Sequence, residues 1–304
     1  QRGIRQILSP VVNIASDVRW GRTEETYGED PVLSAAMGIA FVRAFEERGI
    51  ITTPKHFIAN VGDGGRDSYP VHINERLLEE LYFPPFKKAI QLGGSRSVMT
   101  AYNSLNGTAA SSNHWLLTEK LKKQWGFSGF VISDANAVGG EVVLHNTAAD
   151  YAESGVHAIR GGLDVIFQTE YKHHQLFIQP FLDGRIDSNR INDAVSRVLK
   201  AKFELGLFEH PYVEESIQPF PEHALLARQA AQASIVLLKN EKKTLPFSSS
   251  IKRIAIIGSD ADEARLGGYS GPGNKVVSML ESLQELKGKN NIFYHPGVGR
   301  KSED

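Results

Sequence analysis

The strongest constraint on this chain is an alternation. From residue 6 to about residue 208, short apolar runs alternate with longer amphipathic stretches. The runs cover residues 7–14, 50–58, 97–102, 130–133 and 163–167. Helical periodicity fills the intervals at 31–48, 74–92, 112–125, 146–161 and 171–182, and a further stretch, 187–205, closes the series. Strands separated by single helices imply βαβ units and a parallel sheet. Capping chemistry agrees. Asp30 precedes the first-turn proline Pro31, and Asn113 and Asp187 are N-cap types. Gly49, Gly126 and Gly162 stand where helices end in a left-handed residue.

Such a series fits an open doubly wound sheet or an arc of a (β/α)8 barrel. The polar residues favour the barrel. Asn13, Lys55-His56, Tyr102-Asn103 and Asp134 all fall at the C-terminal ends of strands. Barrel sites collect groups from several strand ends on one face, whereas open sheets concentrate them at a switch point. The expected fold is therefore α/β: a partial (β/α)8 TIM-type barrel over residues 1–208, lacking its first strands. Residues 209–221 hold three prolines and read as a linker. Residues 222–304 read as the start of an α/β sandwich domain, with an amphipathic helix at 222–239, a strand at 253–258, a glycine-rich loop at 267–273, a helix at 276–286 and a strand at 291–294.

Composition narrows the partners. Lys plus Arg is 34 and Asp plus Glu is 35, a net charge of −1, so no basic excess points to nucleic acid or an anionic membrane. No run reaches the ~18 apolar residues of a membrane span. Cysteine is absent, which removes disulfides and thiolate metal sites and permits an oxidising compartment. Localisation stays open, leaning to periplasmic or secreted over cytoplasmic, and a homo-oligomer is left open. The chain starts at Gln1 and stops after Asp304 abruptly enough that both ends read as cuts in a longer protein.

Each polar strand end has a chemical and a plain reading. Asp134 closes the run Gly129-Phe130-Val131-Ile132-Ser133, so it can be buried at its base and open at its tip. That suits a nucleophile at an anomeric carbon or a general base; the plain reading is a helix cap. Lys55-His56 can bind hydroxyls and hold a carboxylate ionised, or form a barrel-mouth ion pair. Arg22 can present a five-donor fork to vicinal hydroxyls or to Asp134, or pair with Glu24, Glu25, Glu29 and Asp30. Tyr102 can offer a ring face and a hydroxyl to a sugar, or fill core, and Met99 reads as core. Gly62-Asp63-Gly64-Gly65-Arg66-Asp67 lacks the ending of a phosphate loop and reads as a loop delivering Arg66. Ile256-Ile257-Gly258-Ser259-Asp260 lacks the dinucleotide fingerprint. His173-His174 reads as a solvated pair without acids at metal-ligand spacing.

Together the segments resemble glycoside hydrolase family 3. The matching stretches are Asp17-Val18-Arg19-Trp20-Gly21-Arg22-Thr23-Glu24-Glu25 with Tyr27-Gly28-Glu29-Asp30-Pro31, then Lys55-His56-Phe57, Val98-Met99-Thr100-Ala101-Tyr102-Asn103, Gly126 to Asp134, and Ser234 to Asn240. The resemblance implies a retaining exo-β-glycosidase with Asp134 as nucleophile. It implies that Arg22, Lys55, His56, Arg66 and Tyr102 hold the terminal sugar and that Met99 lines the same subsite. It implies a Glu acid/base beyond Asp304 and a distorted backbone at Lys55-His56, a cis peptide bond being one form. Two positions depart from the pattern. Ala135 stands where a stacking Trp is common, and the loop after Lys55-His56-Phe57 has no His, which points away from the N-acetylglucosaminidase branch toward β-glucosidases. The expected partner is a β-linked oligosaccharide or glycoside, with no cofactor and no metal. A β-xylosidase or a glycoside phosphorylase on the same scaffold is the alternative; a non-catalytic sugar-binding relative would need Asp134 replaced.

Overall fold

A computed structural model describes residues 3–61, 69–213, 221–267, 269–270 and 276–298. By its internal contacts the chain divides into two compact units, Gln1–Gln218 and Pro219–Asp304.

In the first unit, five parallel segments follow one another in chain order. Gln6–Ile7 pairs with Ile51–Thr52, and Val11 bridges Lys55. Phe57 bridges Thr100, Ser97–Met99 pairs with Phe130–Ile132, and Ile132 bridges Val165. The order never doubles back, so none of these segments marks a switch point. Each crossover carries helix: Pro31–Glu46, then Glu75 through Gln91, then Trp115–Gln124, then Tyr151–Gly161.

The strands read as unbroken apolar runs because both faces are covered. Val98 and Val131 join the large cluster with Val12, Phe57, Phe83, Phe86, Leu117, Leu121 and Trp125. Their neighbours Met99, Phe130 and Ile132 join a second cluster with Ile51, packed by Leu8, Val165 and Phe167. That division is the period-two alternation of a strand. Gly129 lets the Phe130–Ile132 strand start close to its neighbour: a Cβ there would lie 2.2 Å from the Arg96 carbonyl oxygen.

The caps match the expected ends. Asp30 accepts the backbone N–H groups of Val32 and Leu33, Asn113 that of Leu116, and Asp187 that of Asn189. Gly49, Gly126 and Gly162 have φ of 70°, 69° and 122°. Some boundaries shift for local reasons. The helix expected from residue 146 starts at Tyr151, because Asp150 caps it by accepting the Glu153 N–H at 2.8 Å. The helix expected at 74–92 widens to π turns over Leu78–Tyr82. Pro84 and Pro85 remove the donors that the carbonyls of Glu80 and Leu81 would meet four residues on. The stretch 171–182 forms a 3-10 turn, Tyr171–Phe177, then one short helix, Gln179–Leu182, with Pro180 in its first turn.

A buried ionic network ties the first unit's last helix, Ser188–Glu204, to the sheet. The Asp164 side chain is fully buried. It accepts the Val131 N–H at 2.8 Å and Lys122 Nζ at 2.7 Å, and it pairs with Arg190. Burial pulls the Lys122 amine down to about 8 against the attraction of Asp164.

The second unit holds a parallel pair, Ile254–Ile257 against Ile292–His295, with helix Met279–Lys287 between them in sequence. Ile256, Ala261, Leu280 and Ile292 form its core cluster. Helix Pro221–Ser234 ends five residues before the expected Lys239; residues 235–240 follow without helix, where β-branched Ile235 and Val236 disfavour it.

Removing one member of a buried charge network leaves the others uncompensated. Asp164→Asn is therefore expected to destabilise the protein by about 3–5 kcal/mol in urea unfolding. Arg76→Ala, at an exposed pair with Glu80, should change little. Equal effects of the two would remove the role given to Asp164.

Candidate active site

The strand ladder delivers the site residues to one place. Lys55 N–H donates to the Pro10 carbonyl and Val12 N–H to that of Lys55. Phe57 N–H donates to Met99 and Ala101 N–H to Phe57; Thr100 N–H donates to Ile132 and Ser133 N–H to Val165. This register aligns the ends where Asn13, Lys55, His56, Tyr102 and Asp134 stand.

Phe57 anchors the dipeptide. Its ring lies 5.2 Å from Phe86, 5.7 Å from Trp125 and 6.0 Å from Phe83, centroid to centroid. The Lys55–His56 peptide bond is cis, one form of the distortion that the resemblance implies there, and so is Phe57–Ile58. His56 Nε2 lies 3.4 Å from Asp134 Oδ2, and the Lys55 charge acts on the carboxylate directly.

Asp134 is 7% exposed. Its Oδ1 accepts the Ala135 N–H at 2.7 Å. Burial raises its pKa above the usual carboxylate value; the Ala135 N–H, Lys55, a Tyr102 hydrogen bond and Arg22 act in the opposite sense. The sequence reading expected the cations to dominate and lower this pKa. Desolvation outweighs them. Burial likewise lowers the Lys55 amine, opposed by Asp134. His56 is not one of the cations. Full burial, with Arg22 and Lys55 nearby, lowers its pKa well below the usual imidazole value, so it is neutral at neutral pH.

Arg22 takes the ion-pair reading, with Glu25 as its partner. It is 1% exposed and holds Glu25 with two bonds, Nε to Oε1 at 2.8 Å and Nη2 to Oε2 at 2.9 Å. Its charge still acts on both His56 and Asp134. Tyr102 is half-buried, and its hydroxyl acts to lower the Asp134 pKa. Met99 is 1% exposed within the apolar cluster of Ile51, Phe130 and Ile132. Arg66 lies outside the described residues. His173 has an acid nearby after all, with Glu170 at 3.6 Å, and among the described residues no group of three or more His, Cys, Asp and Glu could hold a metal ion.

Sequence reading gave no positioning role to Trp20, Asn60, Asn103 or His145. Trp20 Nε1–H donates to Asn60 Oδ1 at 3.2 Å, Asn60 Nδ2 donates to Asn103 Oδ1 at 3.2 Å, and Asn103 Nδ2 donates to the Ile58 carbonyl at 3.2 Å. All three side chains are fully buried. His145 Nε2–H donates to the Tyr102 carbonyl at 2.8 Å across 43 positions. Asparagines flanking apolar runs were the available signal, since buried amides must find partners.

The whole arrangement lies inside a region that comparison assigns to one family. Residues 1–201 match the glycosyl hydrolase family 3 N terminal domain, and residues 235–296 match its C-terminal domain. The chain belongs to glycosyl hydrolase family 3. It is 35% identical to a periplasmic beta-glucosidase of Salmonella typhimurium, over 97% of this chain and 41% of that protein. It is 34% identical to a beta-xylosidase of Formosa agariphila, over 97% of this chain and 45% of that protein. Its fold matches that of a β-glucosidase from Erythrobacter marinus with a TM-score of 0.88, 32% identity, and coverage of 100% of this chain and 44% of the other. It also matches a β-glucosidase from Listeria innocua in complex with isofagomine, with a TM-score of 0.87, 29% identity, and coverage of 99% and 44%. The chain spans less than half the length of these relatives.

The raised pKa of Asp134 gives a signed expectation. Its folded value lies above the unfolded ~3.9, so its favourable contribution is complete below ~3.9 and is lost as pH rises through the folded value. Asp134→Asn carries no such loss. The stability of Asp134→Asn relative to the unmodified protein should therefore grow as pH rises from about 4 and level off above the folded pKa. Chemical denaturation across that range checks it; a flat or shrinking difference would contradict the raised pKa.

Proposed function

We propose that the protein carrying this chain is a retaining, exo-acting β-glycosidase, a β-glucosidase in the first instance, with Asp134 as its nucleophile. The observation that carries the reading is Asp134 itself. It is a buried carboxylate at a parallel strand end whose Oδ2 has no hydrogen-bond partner among the described residues, set among Lys55, Tyr102 and Arg22 in a family 3 chain. The unbroken chain order of the parallel segments supports an arc of a (β/α)8 barrel over residues 1–208, followed by a linker at 209–221 and the start of an α/β sandwich.

In this mechanism Asp134 attacks the anomeric carbon from one face. A carboxylic acid ~5–5.5 Å away protonates the leaving oxygen and later activates water against the glycosyl-enzyme. That acid is the Glu expected beyond Asp304. Desolvation favours the attack, because a carboxylate stripped of water is destabilised until it bonds to carbon. Lys55 and Arg22 keep it ionisable in spite of burial. Lys55, Arg22 and Tyr102, with Arg66 from its loop, bind the hydroxyls of the terminal sugar, and Met99 supports the floor of that subsite. Such a pocket suits release of one sugar from a non-reducing end. A periplasmic relative adds weight to an extracytoplasmic location.

Removing the nucleophile tests the reading. Asp134→Ala in the intact protein should lower turnover of aryl β-glucoside and β-xyloside by about four orders of magnitude, ~5 kcal/mol of transition-state stabilisation. Added azide should restore turnover and yield the α-glycosyl azide. Near-normal activity in the folded variant would contradict it.

Lys55→Met keeps much of the stem's packing but removes the charge. It should lower kcat/KM by roughly two to three orders of magnitude, from ~1.5–3 kcal/mol per charged hydrogen bond plus misplacement of the sugar. The acid limb of the pH profile should move to higher pH, because Asp134 loses an ion that lowers its pKa. An unchanged kcat/KM and acid limb would make Lys55 a structural residue.

A further inference from the structure

The hydrogen-bond pattern around His56 fixes more than its position. The His56 backbone N–H donates to Asn13 Oδ1 at 2.7 Å, and Asn13 Nδ2 donates to the His56 carbonyl oxygen at 2.9 Å. A backbone N–H can only donate and a carbonyl can only accept, so these two bonds leave one orientation for the Asn13 amide. The same Oδ1 lies 3.0 Å from His56 Nδ1. An amide oxygen has no proton to give, so Nδ1 must carry one. A neutral imidazole holds a single N–H, and Nε2 is then a bare lone pair. It is buried, has no hydrogen-bond partner among the described residues, and faces Asp134 Oδ2 at 3.4 Å. Asp134 Oδ2 has no hydrogen-bond partner among them either.

We propose that Asn13 sets the tautomer of His56 so that Nε2 is a hydrogen-bond acceptor, and that Nε2 recognises the bound sugar by accepting a hydrogen bond donated by one of its hydroxyls. The inference rests on the glycosidase reading for its ligand but not for its tautomer. It changes the role expected of His56, which was read with Lys55 as a group that holds a carboxylate ionised. The division of labour is sterically economical. Among the groups around Asp134 other than His56, Lys55, Arg22 and the Ala135 N–H can only donate and the Tyr102 hydroxyl acts as a donor toward Asp134, while a sugar hydroxyl is both donor and acceptor. A hydroxyl accepting from a cation keeps one proton to place, and Nε2 is an acceptor held ready for it. Burial of an unmade acceptor is costly, so a ligand that cannot donate there should bind poorly.

Asn13 is accordingly a positioning residue. Buried ring orientation and tautomer depend on such partners, and loss of comparable partners at metal sites costs 10–100-fold. Asn13→Ala should raise KM by about 10-fold, with a smaller change in kcat, since the nucleophile is untouched.

The direct test is spectroscopic. The intact protein is labelled with 15N-histidine, and the His56 signals are assigned by their loss in His56→Gln. Near neutral pH they should show a protonated Nδ1 and a bare Nε2. A protonated Nε2 with bare Nδ1, or an imidazolium with both protonated, overturns the proposal whatever the enzyme's activity. The ligand arm compares 3-, 4- and 6-deoxyglucose with the matching deoxyfluoroglucoses as competitive inhibitors. At the position read by His56, both analogues should lose affinity to a similar extent, because fluorine cannot donate. Retention of affinity by every fluoro analogue would overturn the acceptor role. If the tautomer is found but the protein cleaves no β-glycoside, the glycosidase reading fails and the Asn13–His56 geometry stands.

Discussion

The site depends on one balance, the cost of burying the Asp134 carboxylate against the charges gathered to offset it. Asp134 closes a strand whose preceding residues, Val131 and Ile132, are core. The strand that gives it position also takes it out of water. Lys55, Arg22, Tyr102 and the Ala135 N–H offset that loss in part, and burial still prevails. In the proposed mechanism, a carboxylate in this condition would be reactive toward carbon for the same reason that it is costly to hold. His56, surrounded by the same cations, answers in the opposite way and stays neutral.

Everything that positions these groups is anchored outside the site. Phe57 sits among Phe83, Phe86 and Trp125, so the dipeptide before it has little room to shift. Asn13 grips His56 from the neighbouring strand. The Trp20–Asn60–Asn103 chain connects the loop that carries Arg22 to the ends of the two adjacent strands before the Asp134 strand. On the other side, Asp164 binds the Val131 N–H and two cations. Rigid surroundings of this kind let a buried charge persist, since relaxation of the site would otherwise admit water.

Much of this was legible in the sequence. The apolar runs near residues 7, 51, 97, 130 and 165 each become a parallel segment, because a strand covered on both faces cannot alternate with polar residues. Asp30, Asn113 and Asp187 cap helices through a local rule that depends on a few neighbouring residues. Asp134, Lys55, His56 and Tyr102 were singled out by strand-end position, Arg22 by its donor fork in a loop, and all five then by resemblance. What stayed hidden was set by distant contacts. The protonation state of His56 depends on burial and on Arg22, 34 positions away in the chain. Asn13 was seen as a strand-end amide, but its three bonds to one histidine arise across 43 positions. The end of the second unit's first helix at Ser234 was missed, because residues 235–238 continue an apolar pattern that periodicity alone reads as helix.

The central claim is that Asp134 bonds to the sugar. A 2-deoxy-2-fluoro-β-glycosyl fluoride, offered to the intact protein, slows breakdown of such an intermediate more than it slows departure of the good leaving group. Peptide mapping by mass spectrometry should then place one fluoroglycosyl ester on Asp134, with activity lost in proportion to labelling. A label on any other carboxylate, or continued turnover of the reagent with inversion of configuration and no label, would contradict the account.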